Sequence, residues 1–427
     1  MPAGAIRATA LCGTSGTILL VDREGEPRSA GLMYDDMRAA NEAERVNDVG
    51  GDLWARLGYG RMQPSWALPK LAWLLREHAG RRSDVRLAHQ PDFVTRRLVG
   101  RPVASDGSHA LKTGYDVMNE AWPSEVLSEL EIPDEVLPDV VRSGSELGTV
   151  CARAAEATGI PAGTPVVAGM TDGCAAQIGA GALRPGSWNS VLGTTLVVKG
   201  VTSELIRDPA GVMYSHRSPD GGWLPGGASS VGAGALSAHY PGRDLEALNR
   251  RAAGREPATV IAYPLVSRGE RFPFLAPDAE GFVLGRAVDE ADHYASLLQG
   301  VAYVERLVFD YLDHLGAPAE GTLTLTGGGT RSRYWCQLRA DVLGRSVRVP
   351  RNAETGLGMA MLAASAVRGR PLEEVAAAMV APGEDIAPRA DRGQRFREPY
   401  ARLIDELQAR GWLEAAVADH ARGRAAQ

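Results

Sequence analysis

The sequence is poor in the features that most quickly assign a protein to a class. It has four cysteines, Cys12, Cys151, Cys174 and Cys336, with no CxxC spacing and no histidine near any of them in sequence. That pattern argues against a disulfide framework and against a zinc site. Cys174, two residues past Asp172, reads as a small buried helix residue. No apolar run approaches the roughly 18 residues needed to cross a bilayer, and no signal-peptide pattern opens the sequence, so no membrane partner and a reduced, cytoplasmic setting are expected. An excess of positive charge is also missing: 46 Lys and Arg against 52 Asp and Glu leave a net charge of -6. The arginine clusters at 96–101 and 422–424 are short and read as solvated surface, so nucleic acid is not expected as a partner. No internal repeat of fixed short period occurs.

What the sequence does have is length and well-placed punctuation. Its 427 residues suffice for two domains with separate cores. A composition of 44% apolar and 23% charged residues is that of a globular chain.

The segment 166–198, VVAGMTDGCAAQIGAGALRPGSWNSVLGTTLVV, carries the most information. Val166, Val167 and Ala168 form an apolar run too short for a helix, Gly169 breaks it, and 173–182 reads as a small-residue helix with Asp172 at its N-cap. Asp172 is therefore placed at a strand end, where open α/β sheets collect reactive groups. Two β-rich runs, Trp188–Leu192 and 196–201, flank Gly193, Thr194 and Thr195. Such a hairpin tip offers N–H groups and hydroxyls to an anion, with an ordinary tight turn as the alternative. Farther along, 322–326 alternates as a strand, Gly327, Gly328 and Gly329 allow close backbone approach to a ligand, and 331–342 reads as a helix carrying Trp335. For Trp335, plain core packing is the alternative.

In this order and spacing the three motifs resemble those of the FGGY carbohydrate kinases, within the actin-like, ribonuclease-H-like ATPase superfamily. The likeness continues through GVMYSHR (211–217), GGWLPGGASS (221–230), SRGERFPF (267–274), EGFVLGR (280–286) and NAETGLGMAMLAA (352–364). Through GTSGTILLVDREG (13–25), YSHR and GERFP it looks like the D-ribulokinase and xylulokinase-like branch. The resemblance implies an α/β, two-domain actin-like ATPase fold, with a sugar-binding domain at 1–186 and a nucleotide-binding domain at 187–427. It implies ATP and Mg²⁺ as cofactors and a small sugar as substrate, without assigning metal ligands. Asp172 would be the base that takes the proton from the attacking hydroxyl. Gly193, Thr194 and Thr195 would hold phosphates, and Gly328, Gly329, Ser332 and Trp335 the adenosine. Ser15, Tyr34 and Asp36 would face the sugar together with Asp172, and Arg38 completes a Trp-x-Asp-x-Arg segment in which Tyr34 replaces Trp. Ser332 stands where relatives often carry Asn.

Phosphoryl transfer suits these residue types. It asks a protein for positioning, backbone donors and one proton acceptor. An Asp, with an unperturbed pKa of about 3.9, is ionised at neutral pH and needs no activating His.

Relatives open with an Asp-x-Gly-Thr strand and hairpin that clasps phosphate. Here Leu11 and Cys12 precede GTSGT (13–17) where that Asp would stand. GTSGT is therefore expected to be the sugar-side strand, 18–27 a later strand running into a turn, and the first domain N-terminally truncated, without its first phosphate hairpin. A non-catalytic remnant that binds sugar or nucleotide weakly is the rival reading. A protein-binding actin-like ATPase is a third, against which Ser15, Tyr34 and Asp36 argue through the resemblance.

Helices are further expected at 68–78, 92–98, 375–381, 400–418 and 289–315, the last with an apolar stripe interrupted by Glu305, which reads as a rim residue. Lys112 reads as an exposed lysine. The segment 356–366 is so rich in Gly and Ala that its helix must pack closely on another element, and 421–427 is expected to be a disordered tail.

Overall fold

The structure, a computed structural model, describes residues 3–78, 84–381 and 383–426. The chain divides into two compact units, one formed by residues 1–181, 215–224 and 352–380, the other by 182–214, 225–351 and 381–427.

The strands of the first unit are β1 (Thr9–Gly13), β2 (Ile18–Val21), β3 (Arg86–His89), β4 (Ser105–Asp106), β5 (Val140–Val141), β6 (Glu146–Thr149) and β7 (Pro165–Thr171). β7 is the middle of a three-stranded sheet, parallel to β1 and antiparallel to β6. The ILLV run of β2 is buried throughout and pairs antiparallel with β3.

Gly169 does not break the strand, as the sequence suggested; β7 runs on to Thr171. The reason is steric. β1 bulges between Ala10 and Cys12, and a Cβ on Gly169 would lie 1.7 Å from the Leu11 carbonyl oxygen. The GTSGT stretch is likewise not a strand. β1 ends at Gly13, and the chain turns through Thr14 and Thr17, whose N–H donates to Thr14 O at 3.3 Å, with Gly16 at φ +88.

The helix after β7 spans Asp172–Gly179 with Thr171 at the N-cap position, so Asp172 is its first residue rather than its N-cap. This helix packs against the helix Thr355–Arg368, and small residues are what permit the contact. A Cβ on Gly358 would meet Ala175 O at 2.0 Å, and one on Gly179 would meet Glu354 O at 2.6 Å. The Gly/Ala-rich segment thus packs backbone to backbone, as its composition required.

The second unit adds β8 (Trp188–Leu192), β9 (Leu196–Gly200), β12 (Ile261–Tyr263), β13 (Phe282–Leu284), β14 (Leu323–Thr326), β15 (Val347–Val349), β16 (Glu384–Ile386) and, from residue 225 on, β11 (Trp223–Ser229), whereas β10 (Tyr214–Arg217) falls almost wholly in the 215–224 piece of the first unit. Within this unit the sheet runs β11-β9-β8-β14-β15-β16. β8 and β9 form the antiparallel hairpin read from the sequence, and β14 lies parallel to β8.

The long helix Glu290–His314 is N-capped by Asp289, which accepts from Asp292 N at 2.8 Å. It is buried around most of its circumference. Glu305 is consequently not at a rim. It is fully buried and paired with the equally buried Arg339, Nε at 2.6 Å and Nη2 at 2.7 Å, while the same Nη2 donates to Ser190 Oγ at 2.8 Å. Burial pushes the Arg339 guanidinium down, but the Glu305 carboxylate beside it outweighs this and holds it above its ordinary value. The pair fastens two helices to β8 a few residues before Gly193.

At the C-terminus, the expected helix 400–418 is two helices, Arg397–Ala409 and Ala415–Ala426, divided at Gly411 with φ +74. The expected disordered tail is helical from 421 to 426; residue 427 lies outside the described residues. Val417, Ala418, Ala421 and Ala425 recur at helical spacing and join the buried core, which supplies the burial that a polar tail would lack.

Gly358→Val tests the helix contact. Forcing side-chain atoms into occupied space costs about 1–3 kcal/mol, at about 2–4 °C of melting temperature per kcal/mol for units of this size. A calorimetric melting temperature equal to wild type would show that the two helices are not in backbone contact.

Candidate functional site

Each unit places two neighbouring parallel strands so that the turns following them lie side by side. In the first unit the strands are β1 and β7, whose last paired residues are Gly13 and Thr171. The turn with Ser15 follows Gly13, and Asp172 follows Thr171. Asp172 is exposed, in the first turn of its helix, with its Oδ1 accepting from Gly173 N at 2.8 Å. The Cys12 thiol is pushed up by burial and further by the Asp172 charge, which places the carboxylate next to the end of β1.

The Ser15 turn is built from the inside. Gln90 Oε1 accepts from Thr14 N at 3.0 Å and from Thr14 Oγ1 at 3.1 Å. Ser15 Oγ is buried and has no hydrogen-bond partner among the described residues, so its donor and acceptor capacity is open to a ligand hydroxyl.

Tyr34 and Asp36 lie on the segment after Leu32, which is bridged to Ile18 at the start of β2. Tyr34 is 51% exposed. Asp36 is held by Arg38, whose Nε donates at 2.9 and 3.0 Å to its two oxygens, and this hydrogen bonding lowers the Asp36 carboxyl below the usual range. The Arg38 guanidinium also stacks over Trp73.

Lys70 connects the two pieces, and the motif reading missed it. Its side chain is completely buried, and its Nζ donates to Gly16 O at 2.6 Å and to Met33 O at 2.7 Å. It thereby ties the Ser15 turn to the Tyr34 segment. Burial lowers its pKa to about 8, with the Asp36 charge working in the opposite direction. A signal was available in the sequence: Lys70 sits on the buried face of the helix Ala67–Glu77, among Ala67, Leu68, Leu71 and Leu74. A lysine there must find buried acceptors. Lys112, expected to be exposed, instead has its Nζ 5.5 Å from the Trp66 ring centre.

In the second unit the neighbouring strands are β8 and β14, in register through Thr326 and Val191. The Gly193 turn follows one and the Gly327 turn the other. Gly327, at φ +83, has room only for hydrogen because a Cβ would meet Leu192 O at 2.7 Å. Gly329 lies over the Leu192 side chain, whereas nothing stands within 4 Å of the Cβ position at Gly328. Thr194 is exposed at the hairpin tip, and among the described residues no partner takes the N–H groups or hydroxyls of Thr194 and Thr195. Gly232 and Gly234 close against the backbone of Thr194 and Thr195 from one side.

Ser332 caps the helix Arg333–Leu343, accepting from Trp335 N at 3.1 Å and from Asn249 Nδ2 at 3.0 Å. Trp335 is 2% exposed, and its indole N–H donates to Leu298 O at 3.1 Å. Both side chains are therefore occupied in fixing the helix that follows the triple glycine. Among the described residues no group of three or more His, Cys, Asp or Glu is arranged to hold a metal ion.

Comparison with known proteins gives the context for these two sets of turns. The profile of the FGGY family of carbohydrate kinases, N-terminal domain, matches residues 1–179, and that of the C-terminal domain matches residues 188–367. A xylulose kinase of Streptomyces rubiginosus is 31% identical over 381 residues, covering 86% of this chain and 76% of its own. A glycerol kinase of Ectopseudomonas mendocina is 27% identical over 97% of this chain and 85% of its own. The crystal structure of a xylulose kinase from Rhodospirillum rubrum superposes with a TM-score of 0.82 at 26% identity, over 94% of this chain and 85% of that one.

Lys70→Met tests the tie between the two pieces of the first unit. It leaves two carbonyls unpaired, at about 1–3 kcal/mol each, and amide exchange in 33–38 should accelerate. Folded Lys70 titrates near 8 and the free side chain near 10.5. Between those values the unfolded chain binds more protons, so this group makes wild-type stability rise with pH across that window, a rise the variant should lack. Unchanged exchange in 33–38 would remove Lys70 from this role.

Proposed function

Because the chain belongs to the FGGY family of carbohydrate kinases, we propose that it transfers the γ-phosphoryl group of ATP to a hydroxyl of a pentulose of the xylulose or ribulose type, with Asp172 as general base. The observation that carries this reading is the exposed Asp172 carboxylate at the end of β7, next to the turn that holds the unpartnered Ser15 hydroxyl. The pentulose class is favoured by the xylulose kinases among the relatives.

In this mechanism residues 1–186 hold the sugar. Ser15, Tyr34 and Asp36 bind its hydroxyls, and Asp172 accepts the proton of the attacking one. The new bond forms between that oxygen and the γ-phosphorus while the bond to the bridging oxygen breaks, leaving ADP with the electron pair. Residues 187–427 hold the nucleotide. Thr194 and Thr195 direct unused N–H groups and hydroxyls at phosphate oxygens, and the exposed backbone of Gly328, with open space where a Cβ would stand, receives the nucleoside. Ser332 and Trp335 act on that platform by fixing the helix beneath it rather than by direct contact through the indole N–H. Mg²⁺ arriving with the triphosphate would neutralise charge on the phosphate oxygens.

The test is sugar-dependent ADP formation over a panel of pentuloses and polyols, with Asp172→Asn beside wild type. A general base contributes roughly 10²- to 10⁴-fold, so the variant should lose about that much turnover while its ATP affinity stays within a few-fold. Equal turnover in the two proteins would exclude Asp172 as the base. ADP formation with polyols but no pentulose would overturn the substrate class.

A further inference from the structure

Gly13 and Thr171, the last paired residues of β1 and β7, are both held from below by one short piece of chain. Asp106 ends β4 and caps the helical turn Gly107–Ala110. Its Oδ1 accepts from Ser108 N at 2.9 Å, from Ser108 Oγ at 2.5 Å and from His109 N at 3.1 Å. Its Oδ2 lies 2.6 Å from His109 Nδ1. Ser108 Oγ, oriented by that bond, accepts from Thr171 N at 2.9 Å. On the other side of the ring, His109 Nε2 lies 3.3 Å from Gly13 O. Asp106 is 4% exposed and His109 not at all.

The partners fix the protonation state. A carboxylate oxygen and a carbonyl oxygen are both acceptors, so both ring nitrogens must carry hydrogen, which only the imidazolium does. The surroundings agree. Asp106 faces the ring from its own turn, Asp92 from the helix Gln90–Val99, and the His89 ring lies 6.2 Å away between centres. Burial alone would push His109 down, but the Asp106 carboxylate more than reverses this and holds it above the ordinary imidazole value. Burial likewise pushes Asp106 up, and His109 with the other donors brings it below the usual carboxylate range.

We propose that Asp106, Ser108 and His109 form a positioning device that sets the Ser15 turn against Asp172, with the His109 imidazolium holding Gly13 and Ser108 holding Thr171. The device rests on the kinase reading for what it positions, but not for its own existence. A neutral His109 can serve only one of its two acceptors. As pH rises through its raised pKa, the Gly13 carbonyl is released and the relative placement of sugar turn and base is lost, so the contribution is full at low pH and disappears on the alkaline side.

The first measurement needs no activity. ¹⁵N NMR of the His109 ring in the full chain should show both nitrogens protonated at pH values above the ordinary imidazole pKa; a neutral tautomer at pH 7 would overturn the proposal. The second compares His109→Gln, whose two N–H donors share one nitrogen and do not replace the donors on opposite sides of the ring, with wild type. Turnover should fall about 10-fold or more, since a misplacement of about 1 Å can cost roughly 10²-fold, with KM for ATP within twofold. The alkaline fall in kcat should flatten, and amide exchange at Thr171 and in 13–17 should accelerate. Wild-type kcat with an unchanged alkaline limb would also overturn it. Should His109→Gln not fold, Ser108→Ala keeps both members of the ion pair and removes the Thr171 acceptor together with one donor to Asp106 Oδ1; faster exchange at Thr171 is then expected, and unchanged exchange counts against the proposal. If wild type phosphorylates no sugar while the imidazolium and the exchange effects are found, the kinase reading fails and the positioning network stands.

Discussion

The structure depends on a few places where main chain meets main chain with no side chain between. At Gly169 the bulged β1 comes so near β7 that a Cβ would overlap the Leu11 carbonyl. At Gly327 the turn after β14 closes on Leu192 O, and at Gly358 one helix lies directly on the backbone of another at Ala175. The first two hold neighbouring strands together just before a candidate binding turn, and the third holds the helix that begins at Asp172. Glycine is required at these positions because of what stands opposite, and only at Gly327 does a positive φ add to that demand.

The two units solve the same problem with different polar chemistry. Each ends a pair of parallel strands in turns that keep some polar groups unspent, the Ser15 hydroxyl in one and those of Thr194 and Thr195 in the other, and each stiffens those strand ends from behind with a buried ion pair. In the first unit Asp106 and His109 reach Gly13 directly and Thr171 through Ser108. In the second, Glu305 and Arg339 reach Ser190, just before the Gly193 turn. A buried ion pair adds little net stability, because desolvation offsets most of the attraction, but it tolerates few alternative geometries. Fixed geometry is what a phosphoryl-transfer enzyme needs, since its catalysis is mainly placement and electrostatics.

In the proposed mechanism the unspent groups are the ones that face ligands. Ser15 Oγ is buried without a partner, Thr194 stands exposed at its hairpin tip, and Gly328 faces open space. By contrast, Ser332 and Trp335 have their polar atoms committed inside the protein. Family membership makes the chain a carbohydrate kinase; the division between open and committed groups suggests which residues touch the ligands and which hold them in place.

Local pattern alone was enough for the β8 and β9 hairpin, the strand ahead of the triple glycine, the long helix after Asp289 and the strand-end position of Asp172, because short apolar runs, turn residues and helical periodicity act over a few residues. The order of those motifs was enough to name the family. The continuation of β7 through Gly169 was decided only in three dimensions, by a bulge in a strand more than 150 residues earlier in the chain. So were the burial of Glu305, which required Arg339 on another helix, the helical tail, which required the core that Val417 and Ala421 enter, and the acceptors of Lys70 and His109. Periodicity reports which side of an element is buried; which charge waits on the opposite wall depends on chain segments distant in sequence, and that is settled only when the fold closes.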